Sequence, residues 1–427
     1  MNIPVLPKVY HPSEHGIPLD LIDPDALTVI RRLQQAGFTA YLVGGGVRDL
    51  SAGITPKDFD VSTSAKPEQI KGLFQRQCLL IGRRFRLAHI RYGNKIIEVS
   101  TFRCGENEDD LIVHDNEWGS EEEDVLRRDF TINGLFYDPS NETVIDYVGG
   151  FEDIKKGILR VIGDPCMRFR QDPVRMIRLL KFRARLDFNI SEEALEAMKL
   201  CQKEIIKSSS ARILEEILRM LESGASAPFF HLMTESGMLR LLFPGLTNFL
   251  QSPQGMKSYR FLVVADQINQ SNPKRPLSRP VLTACLLFPI LEQELKTQYL
   301  DHERIPHIND VLELSSAVIH HTMIDSFSHF PRRISTSMHF ILSTQYRLTP
   351  FSGKRHHRPR LTRNKEFELA LQLFKIRALI DSELMESYMS WKNYWRHEER
   401  QGDRRAHHPR KRNEEQQENS CPSPIPS

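Results

Sequence analysis

The chain has 427 residues, 26% of them charged, and a formal net charge of +3. This length exceeds what one hydrophobic core usually organises, so several packed units are expected. No apolar run approaches the roughly 18 residues that a membrane helix needs. The first residues also lack a basic segment followed by an apolar stretch. We therefore expect neither a membrane span nor a secretory signal.

The six cysteines are scattered along the chain and form no C-x-x-C pair. This spacing argues against a disulfide scaffold and against a cysteine-based zinc site. It suits a reducing compartment, so we expect a cytoplasmic protein. The cysteines are Cys78, Cys104, Cys166, Cys201, Cys285 and Cys421.

The first third of the chain has an α/β pattern. Residues 1–22 are typical of a poorly ordered lead-in. Asp23 is a suitable N-cap, Pro24 suits the first turn of a helix, and Gly37 is a residue that ends helices. A helix is therefore predicted over 24–36. A second helix is expected after Pro67, a hairpin turn at Gly93-Asn94, and a flexible loop over 103–124. Strands are predicted at 40–43, 79–82, 86–92 and 95–100.

After about residue 154 the strand signals fade and apolar residues recur at helical spacing. The predicted helices cover 172–185, 191–206, 211–222 and 229–241. We therefore predict an α+β head, with a small mixed β-sheet and helices, followed by an all-α neck and body. The polar tail is too poor in apolar residues to fold alone. The predicted boundaries are a lead-in (1–22), head (23–153), neck (154–225), body (226–398) and basic tail (399–427).

A glycine-rich turn follows the first predicted strand. Residues 41–50 read Tyr-Leu-Val-Gly-Gly-Gly-Val-Arg-Asp-Leu, so three glycines precede a helix whose first turn carries Arg48. Glycines such as Gly45 let a phosphate approach the backbone, and a helix N-terminus offers free N–H donors. Arg48 and Asp49 stand where the dinucleotide-binding fingerprint needs small residues, which excludes that motif.

Asp58 and Asp60 are separated by one residue. On a strand they would share a face, while Phe59 would pack into the core. Two adjacent like charges are unfavourable unless a cation lies between them. Hard oxygen ligands beside a triphosphate predict Mg²⁺, bound at about 2.1 Å. The alternative is a polar turn with two solvated acids.

Asp172, Arg175 and Arg178 recur at i, i+3 and i+6, with Pro173 at the first turn of the predicted helix. A carboxylate and a guanidinium together can accept from and donate to the edge of a base. A face of this kind can read the edge of a base without a nucleic-acid template. The alternative is a solvated helix face.

Two basic stretches are candidates for phosphate contacts. Arg83, Arg84 and Arg86 follow one predicted strand and lead into the next. They suit a triphosphate or an RNA backbone, or else protect a strand edge by charge. The other basic stretch, near residues 354–360, and the tail at 404–412 could bind RNA phosphates. The alternative is that both are solvated runs of charge. The second stretch contains Lys354, Arg355, Arg358 and Arg360. We expect His320-His321 to be a surface or core pair rather than a metal site.

Four motifs occur in a fixed order: Gly-Gly-Gly-Val-Arg-Asp at 44–49, Pro-Lys-Asp-Phe-Asp at 56–60, Arg-Arg-Asp-Phe-Thr-Ile-Asn at 127–133, and Asp-Pro-Val-Arg-Met-Ile-Arg at 172–178. Together they resemble the class II branch of the nucleotidyltransferase superfamily, which holds CCA-adding tRNA enzymes and bacterial poly(A) polymerases. The resemblance implies that the head carries the paired aspartates and that the helical neck selects the base.

The same resemblance assigns Arg128 to the nucleotide and Asp129 as a third essential carboxylate. Glu98, in the predicted strand Ile96-Ile97-Glu98-Val99, is the alternative third acid. Residues 79–90 resemble the stretch that marks bacterial poly(A) polymerases. CCA-adding enzymes usually carry Glu-Asp-x-x-Arg in the base-selecting helix, whereas this chain has Gln171 in place of the glutamate.

The expected activity is therefore template-independent addition of AMP from ATP to RNA 3′ ends, with two Mg²⁺ ions held by Asp58 and Asp60. The expected partners are RNA 3′ ends, ATP and RNA-turnover proteins, with the chain acting as a monomer. A CCA-adding tRNA nucleotidyltransferase is the alternative with the same chemistry. A non-catalytic RNA-binding protein is the alternative from another class.

Overall fold

A computed structural model describes residues 6–82, 87–104, 118–327, 330–349 and 361–406, with side chains up to residue 400. These residues form two compact units. The first unit extends to Gln251 and also includes residues 326–327, and the second comprises the other described residues from Ser252 onward.

The first unit is built around a mixed eight-stranded sheet in the order β1-β8-β7-β2-β3-β6-β5-β4. The β3–β6 pair is parallel, and the other neighbouring pairs are antiparallel. The predicted mixed sheet is confirmed. Its strands are β1 (Lys8–Tyr10), β2 (Ala40–Val43), β3 (Asp60–Thr63), β4 (Cys78–Ile81), β5 (Leu87–Tyr92), β6 (Lys95–Thr101), β7 (Leu135–Asp138) and β8 (Thr143–Asp146). A separate parallel pair joins β9 (Ile158–Leu159) to β10 (Asn189–Ile190).

The lead-in was wrongly predicted to be poorly ordered throughout. Lys8–Tyr10 forms the edge strand beside β8, and Tyr10 is buried with its ring 4.2 Å from that of Phe151. A buried aromatic ring and a paired strand stabilise this segment through partners more than 130 residues away in sequence. Such partners leave no local signal.

Two other predictions in the head need correction. Strands β7 and β8 were missed, although every residue of β7 is buried. The loop predicted over 103–124 ends early, because a helix begins at Glu121. Ser120 accepts a hydrogen bond from the Glu123 N–H, and the Glu123 carboxylate accepts one from the Ser120 N–H, which is a capping box. Residues 105–117 lie outside the described residues.

The predicted helix at 24–36 is confirmed as Pro24–Gln35, with the Asp23 carboxylate accepting from the Asp25 N–H at 2.8 Å. Its buried residues include Val29, Ile30 and Leu33. The helices of the first unit are α1 (Pro12–His15), α2 (Pro24–Gln35), α3 (Gly45–Ser51), α4 (Pro67–Phe74), α5 (Glu121–Leu126), α6 (Gly150–Lys156), α7 (Pro165–Gln171), α8 (Val174–Leu186), α9 (Glu192–Cys201), α10 (Ser210–Glu222), α11 (Ser226–Glu235), α12 (Met238–Leu242) and α13 (Pro244–Leu250).

The described part of the second unit is helical. One of its cores gathers Phe367, Phe374, Tyr388 and Trp391. Its α-helices are Met256–Ser271, Arg279–Gln298, Ile308–Ile319, Arg332–Leu348, Phe367–Ile380 and Met385–Ala406. None of the helices in the described ranges has the length and apolar character needed to cross a bilayer. The α+β head followed by a largely helical remainder is thus confirmed as the fold class, although the predicted all-α neck also contains the short β9–β10 pair.

Candidate active site

The glycine turn joins β2 to α3 and packs against the segment that carries the paired aspartates. Gly44 has φ +64° and ψ −128°, a backbone conformation that residues other than glycine rarely adopt. A Cβ atom on Gly46 would lie 3.3 Å from the backbone oxygen of Asp58 and 3.4 Å from the Phe59 ring. Small residues are therefore needed here so that the turn can approach the aspartates.

Asp60 is the first residue of β3, whereas Asp58 precedes the strand. The prediction that both lie on a strand is therefore wrong for Asp58, and Phe59 is only half-buried. Asp60 stands in register between Val43 of β2 and Glu98 of β6. Side chains paired across neighbouring strands project from the same face, so Glu98 lies beside Asp60.

The charges around Asp60 oppose its ionisation. Its pKa is raised to about 6, first by desolvation and then by the carboxylates of Glu98 and Asp58, with Arg128 acting in the opposite direction. Asp60 is open to water yet surrounded by enough protein atoms for desolvation to be the largest cause. A divalent cation would relieve this repulsion, and carboxylate oxygens are the ligands that Mg²⁺ prefers. The donor set therefore fits the predicted ion.

The raised pKa of Asp60 predicts that protons compete with Mg²⁺. Below pH 6 the carboxyl is mostly protonated without metal, so apparent Mg²⁺ affinity should fall by up to about tenfold per pH unit. We expect the Mg²⁺ concentration giving half-maximal activity to rise steeply from pH 7 to pH 5. Saturating Mg²⁺ should restore much of the lost rate. A half-saturating concentration independent of pH would contradict the assignment of Asp60 as a ligand.

Arg128 lies over the glycine turn, because a Cβ on Gly44 would be 3.5 Å from its Nη1. The guanidinium donates to the Asp124 carboxylate at 2.8 Å and to the Asn133 backbone oxygen at 3.0 Å. Desolvation opposes ionisation of Asp124, but Arg128 and Arg127 outweigh it and hold the pKa of Asp124 below its usual value. Arg128 is thus held in place beside Asp60.

Arg48, predicted to seat the triphosphate, is 3% exposed. Its Nε and Nη2 donate to the Asp49 carboxylate, and its Nη1 donates to the Asn133 side-chain oxygen at 2.7 Å. Arg185 of the neck donates to the other Asp49 oxygen at 2.7 Å. These contacts join the head to the neck. A role for Arg48 in nucleotide binding stays a prediction.

Asp129 is buried, and its Oδ2 lies 2.6 Å from Nη2 of Arg178. Its Oδ1 accepts from the Phe130 N–H and from the Asn133 amide, both at 2.9 Å. Desolvation is outweighed by Arg178 and these hydrogen bonds, so the pKa of Asp129 is lowered. The charges that shift the pKa of Asp60 are those of Glu98, Asp58 and Arg128, and Asp129 is not among them. The choice of Asp129 as third carboxylate stays a prediction.

Asn133 was missed as a site residue. Its side-chain oxygen accepts from Arg48, its amide donates to Asp129, and its backbone oxygen accepts from Arg128. One residue thereby links side chains from two of the motifs. Its position as the last residue of the motif at 127–133 was the available signal.

The predicted base-selecting residues do not share one regular helix face. Asp172 lies at the C-cap of α7, before α8 begins at Val174, so the predicted i, i+3, i+6 helix face is wrong at this residue. Asp172 pairs with Arg212 at 2.8 Å. Buried Arg175 donates to the backbone oxygens of Arg168 and Arg127.

Two buried acceptors lie at the junction of α7 and α8. Oε1 of Gln171 and Oδ1 of Asp172 have no hydrogen-bond partner in the described part of the chain. A buried acceptor without a donor is costly, typically by about 1–3 kcal/mol. The hydrogen-bonding capacity of these two atoms is therefore unused within the described residues.

Several predicted RNA contacts lie outside the described residues. They are Arg83, Arg84, Arg86, Lys354, Arg355, Arg358 and Arg360, and they stay predictions. His320 and His321 are exposed, as a surface pair would be, and each lies within about 3.1 Å of the Asp325 carboxylate. With Asp325 they offer three donor atoms within 4.8 Å of one another. Among the described residues Asp58, Asp60 and Glu98 form no such close group.

Comparison with known families gives three matches along the chain. Residues 40–160 match the Poly A polymerase head domain, residues 187–250 the "Probable RNA and SrmB- binding site of polymerase A", and residues 308–423 the polymerase A arginine-rich C-terminus. Poly(A) polymerase I of Salmonella typhi is 36% identical over 87% of this chain and 81% of its own length. The chain belongs to the poly(A) polymerase family. It is accordingly a polynucleotide adenylyltransferase, and this prediction from the sequence is confirmed.

CCA-adding enzymes are related neighbours. That of Lactobacillus helveticus is 39% identical, but only over 46% of this chain and 49% of its own length. The solved CCA-adding enzyme of Bacillus stearothermophilus in complex with CTP has a TM-score of 0.62 at 24% identity, covering 87% of this chain and 82% of that one. The latter similarity establishes the shared fold. The more extensive match to poly(A) polymerase I favours polyadenylation over CCA addition.

Proposed function

We propose that this chain adds AMP from ATP to RNA 3′ ends at the surface formed by Asp58, Asp60 and the glycine turn, using two Mg²⁺ ions. The observation that carries this proposal is the position of Asp60, which pairs with Val43 just before the glycine turn on one side and with a second acid, Glu98 of β6, on the other. Mg²⁺ bound there would favour ionisation of the RNA 3′-hydroxyl and neutralise charge on the triphosphate.

Other residues of the chain would bind the triphosphate and the base. The glycine turn at Gly44–Gly46 would take the triphosphate against its backbone, and Arg128 is held beside it as a charged donor. Gln171 and Asp172 each present an unpartnered acceptor, suited to the amino group of adenine. Arg175, the predicted donor of the base-selecting set, would have to release the Arg168 or Arg127 backbone oxygen in order to donate to the base. A base lacking the matching donor would leave these acceptors buried and unpaired, which disfavours it.

We assign Glu98 rather than Asp129 as the acid acting with the aspartate pair, because Glu98 stands in register beside Asp60. Glu98→Gln is expected to lower kcat by about 10²-fold or more, since it removes charge from the reacting centre. Its melting temperature should stay close to that of the parent protein. Asp129→Asn should instead lower stability, because it weakens the pair with Arg178.

Measuring kcat and thermal unfolding for both variants separates these roles. If Glu98→Gln retains near-parental kcat while Asp129→Asn loses activity without losing stability, Asp129 is the third acid. Val9→Ala, at the opposite edge of the sheet, serves as the control for handling and folding.

The function itself is tested by supplying each NTP separately with an unstructured RNA and with tRNA lacking its terminal CCA. We expect ATP to be preferred by about 10²-fold or more, because two mismatched buried contacts cost about 1–3 kcal/mol each. The product should be a long homopolymer. Products that stop after C-C-A on tRNA would establish the alternative activity. A lack of magnesium-dependent incorporation would indicate a non-catalytic RNA-binding protein.

We further propose that the chain works as a cytoplasmic monomer together with RNA-turnover proteins. The five described cysteines are free thiols, which suits a reducing compartment. The basic composition of the stretches at 354–360 and 404–412 supports binding to an RNA backbone.

A further inference from the structure

The face of the sheet that carries Asp60 continues across three more strands. Glu98 of β6 pairs with His89 of β5, and His89 pairs with Leu79 of β4. The His89 Nε2 lies 3.4 Å from the Glu98 carboxylate. Because cross-strand partners project from the same face, Asp60, Glu98, His89 and Leu79 form one row. At about 4.8 Å per strand the row extends roughly 14 Å from Asp60.

Next to this row lie aliphatic side chains that remain in contact with water. Leu79, Ile81 and Ile96 are 45%, 41% and 46% exposed. Ile96 pairs with the exposed Arg91, so a cation borders the apolar surface. We call the exposed surface of Leu79, Ile81, His89, Arg91 and Ile96 the β4–β6 face. Exposed apolar side chains that alternate with cationic or polar neighbours along one sheet face suit a binding surface.

The chemistry proposed above determines which ligand this face would meet. In phosphoryl transfer the attacking and leaving oxygens are roughly in line. The glycine turn and Arg128 lie on the β2 side of Asp60, where they would hold the triphosphate and the departing pyrophosphate. The attacking 3′-hydroxyl must then approach from the other side of Asp60, which is the side of Glu98 and β6.

We propose that the β4–β6 face is the subsite for the last nucleotides of the RNA primer, with their bases lying on Leu79, Ile81 and Ile96. Unstacked bases of a single strand can bury their apolar faces against aliphatic side chains, and this burial does not depend on which base is present. Arg91 and His89 lie where they can meet the backbone phosphates or base edges. This inference rests on the proposed function and assigns the direction from which the RNA enters.

The test uses the full chain with Leu79→Ala/Ile96→Ala. Both side chains are exposed, so the fold should hold. The KM for a 20-nucleotide RNA should rise about tenfold, as expected for the loss of two modest apolar contacts, while the KM for ATP stays unchanged. A dinucleotide primer, too short to cover the whole face, should be affected less. The matched control is Val9→Ala/Leu21→Ala, which truncates two side chains of similar exposure on the same unit.

A second measurement locates the RNA directly. An RNA carrying 4-thiouridine two nucleotides from its 3′ end should cross-link, under light, to peptides containing residues 78–81 or 95–101. Unchanged RNA KM in the double variant, with cross-links only to other parts of the chain, would overturn the subsite. RNA KM values that are unchanged while a protein partner loses affinity would identify the face as a protein-docking surface instead. If the parent chain extends no RNA at all, the proposed function fails before the subsite is tested.

Discussion

Replacement of Asp58 or Asp60 by alanine should lower the rate of nucleotide addition on the order of 10³-fold or more and leave the fold intact. Metal-bound charge stabilises the transition state of phosphoryl transfer by several kcal/mol, which corresponds to such a factor. Both carboxylates are exposed beside the glycine turn, and neither contributes an ion pair to the described residues. Their removal therefore deprives the site of metal without opening the core.

The stability of these variants gives the prediction its second readout. The pKa of Asp60 is raised in the folded state, so its ionised form is disfavoured by folding. A raised carboxyl pKa lowers stability as pH rises from the unfolded value, near 3.8, to about 6, and the loss persists at higher pH. Asp60→Ala should therefore be at least as stable as the parent protein at pH 7 in metal-free buffer.

Rates measured at saturating Mg²⁺ together with thermal unfolding in EDTA test both effects. Asp20→Asn, an exposed acid of the same unit, is the matched control and should change neither quantity. Activity within tenfold of the parent in either alanine variant would show that the metal-binding acids lie elsewhere.

Local patterns in the sequence predicted the elements whose signals are local. The helix at Pro24–Gln35 has its cap, first-turn proline and apolar spacing within a few residues, and the structure has it nearly as predicted. The glycine turn was likewise predicted from neighbouring residues. The helix that begins at Glu121 shows that one local signal was overlooked, because Ser120 and Glu123 have the spacing of a capping box.

The features that were not predicted depend on contacts between residues that are distant in sequence. Lys8–Tyr10 becomes a strand only through pairing with β8. Arg48 has the position expected of a phosphate-binding residue, yet its Nη1 donates a hydrogen bond to the side-chain oxygen of Asn133, 85 residues later. Hydrophobic periodicity indicates which face of a helix or strand is apolar, but it does not indicate which buried charged side chains form ion pairs. Asp129, predicted from the resemblance as the third carboxylate, is instead paired with the guanidinium of Arg178 in the structure.

Arg178→Met should destabilise the first unit by about 2–3 kcal/mol at pH 7. Removing one partner of a buried ion pair leaves the other charge uncompensated, at about 3–5 kcal/mol for full burial. The Asp129 side chain is 9% exposed, but that of Arg178 is 37% exposed, so solvent screening reduces the effect. Lys181 and Glu216 remain paired in the variant and preserve the rest of this cluster.

A double-mutant cycle attributes the loss to the Asp129–Arg178 pair. Arg178→Met/Asp129→Asn no longer buries an unpaired charge, so it should be more stable than Arg178→Met alone. If Arg178→Met and Arg178→Met/Asp129→Asn have equal stabilities, the ion pair contributes nothing. Lost packing then explains the destabilisation by Arg178→Met. Urea unfolding followed by circular dichroism provides the four free energies.

The pH dependence of the same cycle gives an independent check. In the parent chain the lowered pKa of Asp129 contributes stability that is present above the unfolded value, near 3.8, and is lost as pH falls through the folded value. Without Arg178 the carboxyl is buried with less compensation, so its pKa rises and it protonates more readily. The stability difference between the parent chain and Arg178→Met should therefore shrink from pH 7 to pH 4.5. A difference that is constant over this range would mean that the charge of Asp129 is not what Arg178 stabilises.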